Sequence, residues 1–360
     1  MHTLVTGGRG FIGAAVVGEL LARGHGVTVL DSLRADVHGA RPSNPLPAGV
    51  RLVTGDVRDP ATVASAIQTP GGTDAVVHLA AKVGLGAGLG DLVDYVSSND
   101  LGTAVLLQAM AERDVGRLVL AGSMVVYGDG AYTCPDHGPQ AALPRTAADL
   151  AGGRFDPACP ACGKALEPGP TFEDAPTDPR NGYAATKLHQ EHLSAVFARE
   201  TGATVASMRF HNVYGPGMPR DTPYAGVASI FLSELAAGRP PKVHEDGAQR
   251  RDFVHVRDVA RAVATAAEFA GSPVAMPFRA FNIGSGRVTT VGGMAHLLAE
   301  AAQGPLPVLT GRYRLGDVRH ITASSQRAAD ELGWHARIPL ERGLAELAAL
   351  VEPAAGLAGG

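Results

Sequence analysis

Tyr183 and Lys187 stand four residues apart in Tyr183-Ala184-Ala185-Thr186-Lys187. On a helix such positions share one face, so the ammonium can lie beside the phenol. A phenol with an ordinary pKa of about 10 is a poor base at neutral pH, and a neighbouring positive charge lowers it. Taken alone, a Tyr-x-x-x-Lys pair more often marks a solvated helix face.

A second constellation is Gly7-Gly8-Arg9-Gly10-Phe11-Ile12-Gly13, a G-x-x-G-x-x-G spacing after the apolar run Thr3 to Thr6. Missing side chains at Gly7, Gly10 and Gly13 permit a tight turn and close approach of a pyrophosphate to the start of a helix opened by Phe11 and Ile12. In a chain with 46 glycines this is a weak signal by itself. The run Val27-Thr28-Val29-Leu30-Asp31 strengthens it, because Asp31, followed by Ser32, ends a strand where adenosine ribose hydroxyls would lie. The Asp31 carboxylate repels a 2′-phosphate, so NAD is favoured over NADP; Arg34 could soften that preference or be a surface arginine. Asp56 and Val57, in Gly55-Asp56-Val57, suit adenine, although Asp56 reads equally as a helix N-cap or turn residue.

A third constellation pairs Cys134-x-x-His137 with Cys159-x-x-Cys162. Each pair is spaced like half of a zinc knuckle, and four such ligands close a tetrahedral site. The alternative is three unliganded thiols in a mobile loop. Three cysteines cannot all pair within one chain, and Met1 to Gly8 has neither the basic nor the apolar part of a secretory signal. A reducing, cytoplasmic setting is therefore expected, without a disulfide framework.

The elements that must carry these residues alternate. Short apolar runs at Thr3–Thr6, Val27–Asp31, Val50–Thr54, Ala75–Leu79 and Leu118–Ala121 are separated by helical stretches, which implies right-handed crossovers and a parallel sheet. The stretch 130–178 is rich in Pro, Gly and Ala, shows no sustained period, and reads as an insertion. A helix over Tyr183–Glu200 and a strand over Thr204–Phe210 follow. The expected class is α/β, a Rossmann-like doubly wound parallel sheet with a smaller C-terminal substrate-binding lobe. Residues 1–207 form the dinucleotide domain, with roughly 241–285 returning to it, and 208–240 with 286–352 form the lobe. A small-residue tail, 353–360, is expected to be disordered. With 45% hydrophobic residues and a net charge of −4, the chain lacks the basic field that nucleic acid or an anionic membrane requires. No apolar run is long enough to span a bilayer.

In their order, Thr6 to Gly13, Asp31, Gly55-Asp56-Val57, His78-Leu79-Ala80-Ala81, Asn99-Asp100-Leu101-Gly102-Thr103, Ser123 to Gly128 and Tyr183-x-x-x-Lys187 resemble the extended short-chain dehydrogenase/reductase family, the NAD-dependent nucleotide-sugar epimerases and dehydratases, over almost the whole chain. The resemblance implies that Tyr183 exchanges a sugar hydroxyl proton, helped by Lys187 and the oxidised nicotinamide, while Ser123 hydrogen-bonds the same oxygen. It places Leu79, Ala80, Ala81, Lys82 and Asn99 in the cofactor pocket; Tyr127 could belong there or be a packed aromatic. Met208 to Gly217 is similar to the segment that closes the nicotinamide pocket at Phe210 and opens the sugar-nucleotide site at Asn212. Arg251 and Arg314 match diphosphate-binding arginines, whose planar forks suit paired hydrogen bonds. Asp317 falls near the nucleoside ribose, and Asp252 and His255 look structural.

The Cys-rich insertion resembles that of a bacterial subgroup including dTDP-L-rhamnose 4-epimerase-like proteins. Family members that eliminate water carry acidic residues directly after the catalytic serine or threonine. This chain has Met124 and Val125 there, which disfavours a dehydratase and suits a 6-deoxy sugar. The expected reaction is C4 epimerisation through a 4-keto intermediate, with an NADH-dependent 4-ketoreductase as one alternative and a non-catalytic NAD-binding regulatory protein as another. The resemblance also implies a homodimer joined through helices near Asp94–Glu112 and Tyr183–Glu200, whose apolar stripes fit core packing equally well.

Overall fold

Apolar runs long enough for one strand that alternate with helices can bury both faces only in a parallel sheet. In the computed structural model, which describes residues 1–34, 46–84, 88–219, 226–269 and 277–350, they form a seven-stranded sheet. Its order is Phe278–Ile283, Thr204–Phe210, Arg117–Ser123, Ala75–His78, His2–Thr6, Gly26–Asp31 and Arg51–Thr54. Every neighbouring pair is parallel. The expected α/β class is therefore observed. The direction of strand order reverses between His2–Thr6 and Ala75–His78, which opens a crevice at their carboxyl ends.

Alternate residues face opposite layers. Val5, Val29, Val77, Val119, Met208 and Phe281 pack with the helices Phe11–Ala22 and Val256–Phe269. Leu4, Leu30, Val76, Leu118 and Val205 pack on the other face with Pro60–Ile67, Gly102–Ala111 and Gly182–Thr201. A separate apolar cluster, including Tyr214, Phe231, Val243, Phe253, Met294 and Leu344, lies outside the sheet.

One local reading needs correction. The insertion, in which the sequence shows no sustained period, has regular structure: Gly138–Gln140, Ala131–Cys134 and Glu167–Gly169 form a three-stranded antiparallel sheet, and Ala147–Ala151 is a helix. Strands of three or four residues are too short for a period to register. The stretch Asp94–Glu112 is built from consecutive helical pieces. It runs from Leu92–Tyr95 through a π-helical turn, Val96–Leu101, into Gly102–Ala111. The expected tail, 353–360, lies outside the described residues.

Candidate active site

The glycine turn follows from close packing. Gly7 has φ +71°, and a Cβ there would lie 2.7 Å from the Ala80 nitrogen; one on Gly13 would lie 2.1 Å from the Gly7 oxygen. Neither position tolerates a side chain without moving backbone. Asp31 holds this turn, since its carboxylate accepts from the Arg9 and Leu33 backbone nitrogens, both at 2.9 Å. A cleft runs along the turn, lined by Gly7, Gly10, Asp31, Ser32, Arg34, Asp56, Val57, Leu79, Ala80, Ala81 and Lys82 among others.

Several of these side chains are also engaged with one another. Arg34 meets the Asp94 carboxylate at 3.3 Å, so it is not an isolated surface arginine. The Lys82 ammonium reaches Asp94 at 2.6 Å and Asp91 at 3.2 Å. Asp56 faces Arg58, whose Nη2 and Nε lie 2.6 and 2.9 Å from its two oxygens, and this hydrogen bonding lowers its pKa. The N-cap alternative is corrected: Asp59, not Asp56, caps the helix Pro60–Ile67. Asn99 sits behind the cleft wall rather than on it. It is fully buried, and its amide oxygen accepts from the Lys82 nitrogen at 2.8 Å. Its Nδ2 donates to the Lys82 carbonyl and to Thr186 Oγ1. Asn99 thereby ties the cleft wall to the Tyr183 helix.

That helix begins at Gly182 because Asn181 caps it, accepting from the Ala184 nitrogen at 2.9 Å, and it stops at Gly202 with φ +71°. Ser123 closes the strand Arg117–Ser123, its Oγ accepts from the Val125 nitrogen at 3.4 Å, and it is close enough to the Tyr183 phenol to lower its pKa. Lys187 is buried, donates to the Ala121 carbonyl at 3.0 Å, and places Nζ 5.9 Å from the Tyr183 ring centre. The three residues are thus together. Desolvation is the largest influence on both acidities: it pushes Tyr183 up to about 12 against a smaller lowering by Ser123, and it pulls Lys187 down to about 8 against Glu191 and Asp100. The expected lowering of the phenol by Lys187 together with the oxidised nicotinamide belongs to the complex with the dinucleotide.

Met124 and Val125 follow Ser123 in a half-buried 3₁₀ turn. Tyr127 is a packed aromatic, donating to Asn282 Oδ1 at 2.7 Å and accepting from Arg209 at 2.7 Å. Phe210 is buried, in register with Ser123 on the neighbouring strand. Asn212, two residues on, has a buried Oδ1 without a hydrogen-bond partner in the structure, and both ring nitrogens of the intervening His211 share that state. Burial holds His211 neutral, with a pKa of about 3.

Arg251, Arg314 and Arg145 all act on the Asp317 carboxylate, opposing the desolvation that raises it. Arg314 and Asp317 share one turn, the Asp317 nitrogen donating to the Arg314 carbonyl at 3.3 Å. Arg251 is partly spent on the fold, because its Nη atoms donate to the carbonyls of Arg250 and Arg319 at 2.9 Å and of Val318 at 2.6 Å. Asp252 accepts from Ser285 and Gly286, and the His255 ring stands edge-on to Tyr214. In the insertion, Cys134 Sγ lies 3.4 Å from His137 Nδ1 and 3.7 Å from Cys162 Sγ, and Cys159 Sγ lies 3.7 Å from His137 Nδ1. All four ligand atoms fall within 4.8 Å of one another. A tetrahedral zinc with ordinary Zn–S and Zn–N lengths has edges of about 3.5–3.8 Å, so the donor set fits that ion.

Compared with known proteins, residues 3–146 and 158–284 match the sequence pattern described as the NAD dependent epimerase/dehydratase family. The chain belongs to that family. This epimerase/dehydratase is 33% identical to a dTDP-L-rhamnose 4-epimerase of Burkholderia thailandensis, covering 96% of this chain and 93% of that one. It is 30% identical to a UDP-glucose 4-epimerase of Corynebacterium glutamicum, over 93% and 90%. Among solved structures it resembles the UDP-glucose 4-epimerase of Thermotoga maritima with UDP-glucose (TM-score 0.76, 27% identity, 97% and 98% covered) and that of Thermus thermophilus in complex with NAD (TM-score 0.76, 28% identity, 97% and 98% covered). The family match is interrupted at 147–157, inside the Cys-rich insertion. Sequence reading did not single out Arg145, Glu245 or Arg319, the charged residues that join this insertion to the rest of the epimerase/dehydratase. Arg145 and Glu245 lie in stretches without a motif, and Arg319 ends the segment that was read for Arg314 and Asp317. His211 was legible only as the residue between two chosen ones.

Proposed function

We propose that the protein is an NAD-dependent 4-epimerase of a nucleotide-activated hexose, acting on a dTDP-linked 6-deoxy sugar. The observation that supports this reading is that Ser123 ends its strand beside the helix carrying Tyr183 and Lys187, on the same carboxyl edge of the parallel sheet as the glycine turn and Asp31. Gly7, Gly10 and Gly13 leave room for a pyrophosphate, Asp31 for a ribose, and Asp56 with Val57 for adenine. NAD bound there supplies the hydride acceptor and donor. The chain supplies the proton handling: Tyr183 takes the C4 hydroxyl proton and returns it to the keto oxygen, and Ser123 holds that oxygen in line. Lys187, still mostly charged at pH 7, and the charge of the oxidised dinucleotide favour the phenolate. Arg251 and Arg314 receive the diphosphate, with Asp317 beside the nucleoside and Asn212 beside the sugar. Half-buried Met124 and Val125, carrying no carboxylate, favour epimerisation over water elimination and suit an apolar C6.

Zinc held by Cys134, His137, Cys159 and Cys162 is part of this reading, as a structural ion. A homodimer is too, supported by the exposed apolar side chains of Leu89, Val93, Val96 and Leu101 beside the long helix that exposes Val196.

The test incubates purified protein with dTDP-, UDP- and GDP-hexoses without added nicotinamide and follows C4 configuration by NMR. Interconversion of a dTDP-6-deoxyhexose, reduced by about 10²–10⁴-fold in Tyr183→Phe, is expected. No interconversion of the hexoses, with reduction of a dTDP-4-keto-6-deoxyhexose that consumes one NADH per turnover in a parallel assay, makes the protein a reductase instead. Bound NAD with no conversion of any sugar favours the non-catalytic reading.

A further inference from the structure

Arg145 belongs to the insertion, yet its guanidinium serves another part of the chain. Nη1 donates to Glu245 Oε1 at 2.8 Å and to the Phe155 carbonyl at 3.2 Å, and Nη2 donates to the Asp317 carbonyl at 2.6 Å. Arg319, 1% exposed, approaches the same Glu245 from the other side. Its Nη1 lies 2.8 Å from Glu245 Oε2 and 2.7 Å from Asp246, and its Nε lies 2.8 Å from Asp156 of the insertion. Asp156 also meets His320 Nε2 at 3.0 Å. Glu245 is thus a buried carboxylate shared between one arginine of the insertion and one of the C-terminal segment. Arg251 donates to the carbonyls of residues 318 and 319. The insertion, the turn carrying Arg314 and Asp317, and Arg251 therefore form one hydrogen-bonded unit.

We propose that the insertion positions the nucleoside-diphosphate end of the substrate site, with Arg145 as its positioning residue. The proposal rests on the nucleotide-sugar reading above. A guanidinium reaches three acceptors in a fixed plane, whereas a lysine ammonium is a point donor on a flexible stem and cannot hold Glu245 and the Asp317 backbone together. Loss of Arg145 leaves Glu245 still paired with Arg319, so the expected consequence is a displaced Asp317 turn rather than an unfolded chain. Binding lost equally from ground state and transition state raises KM and leaves kcat unchanged.

The experiment uses the full-length protein with its metal and NAD, as wild type, Arg145→Lys, Arg145→Ala and Lys164→Ala. Lys164 is a control, because its exposed ion pair with Asp136 lies within the same insertion. Dissociation constants for dTDP and UDP are measured by calorimetry, and KM and kcat on the accepted sugar nucleotide. The expected result is a rise of about tenfold in both Kd and KM for Arg145→Lys and Arg145→Ala. Retained NAD, kcat and Lys164→Ala stay at wild-type levels. If Arg145→Ala does not fold, Arg145→Lys, with Asp156→Asn as a second variant, must show the same split between KM and kcat. Unchanged Kd and KM, a loss confined to kcat, or a lowered melting temperature with KM unmoved would each overturn the proposal and leave the nucleotide-sugar reading standing. A wild type that binds neither nucleoside diphosphate sinks both.

Discussion

Tyr183 is raised to about 12 and Lys187 lowered to about 8 by the same burial, so the reacting phenol depends on what binds beside it. The protein also keeps two imidazoles neutral by burial. His78, between Thr6 Oγ1 at 2.7 Å and Thr103 Oγ1 at 3.0 Å, and His211 both have pKa values of about 3. Their unfolded-state value is near 6.5, so between about pH 6.5 and 3 the unfolded chain binds protons that the folded chain refuses. The stability associated with these groups is intact above pH 6.5 and falls with pH below it, at up to about 1.4 kcal/mol per pH unit for each group. Urea unfolding between pH 7 and 5 is expected to show this slope, and His211→Gln to reduce it. An identical slope in the variant refutes the assignment to His211. Asp31 was legible in the sequence as a strand end and Tyr183 with Lys187 as a pair at helical spacing, while Ser123 was found through the family resemblance. Asn99 was legible as part of the site but not as the tie behind its wall, because hydrogen-bond partners 17 and 87 residues away leave no local pattern.

At the scale of elements, the glycine turn shows why spacing was informative: Gly7 and Gly13 are required by contacts within one strand-turn-helix unit. The insertion is the opposite case. Its own apolar core is only Tyr132, Cys134, Ala142, Cys159 and Leu166, too small to order nearly fifty residues, and a bound metal adds folding free energy that such a core lacks. Protein purified without chelator is expected to carry about one zinc per chain by mass spectrometry of the metal. Cys159→Ser is expected to lose it and to become protease-sensitive within residues 130–178. Absent metal, with an unchanged melting temperature after chelation, defeats the zinc assignment. The ligand spacing was readable because each pair is local, and the expectation that the two pairs close one site agrees with their ligand atoms lying within 4.8 Å of one another.

Across the whole molecule, Leu89 at 85% and Val93 at 82% exposure are large apolar side chains facing solvent in the single chain. They adjoin Val96 and Leu101 on the segment that packs on the long Tyr183 helix. Apolar patches of this kind mark association surfaces. Val93→Glu is expected to convert a dimer to a monomer in light scattering while NAD stays bound; a wild type that is already monomeric disproves the dimer. Among the described residues, no helix is long and apolar enough to cross a membrane. The amino-acid sequence by itself determined the parallel α/β class and the glycine turn with its acidic strand end, because these follow from local periodicity and short spacings, while the Ser, Tyr and Lys set was named through a family resemblance. Only the tertiary structure decided that desolvation dominates the Tyr183 acidity, that Asp59 and not Asp56 caps its helix, and that Arg145 and Arg319 share Glu245. Burial and long-range pairing depend on which elements pack together, and that is settled only when the whole chain has folded.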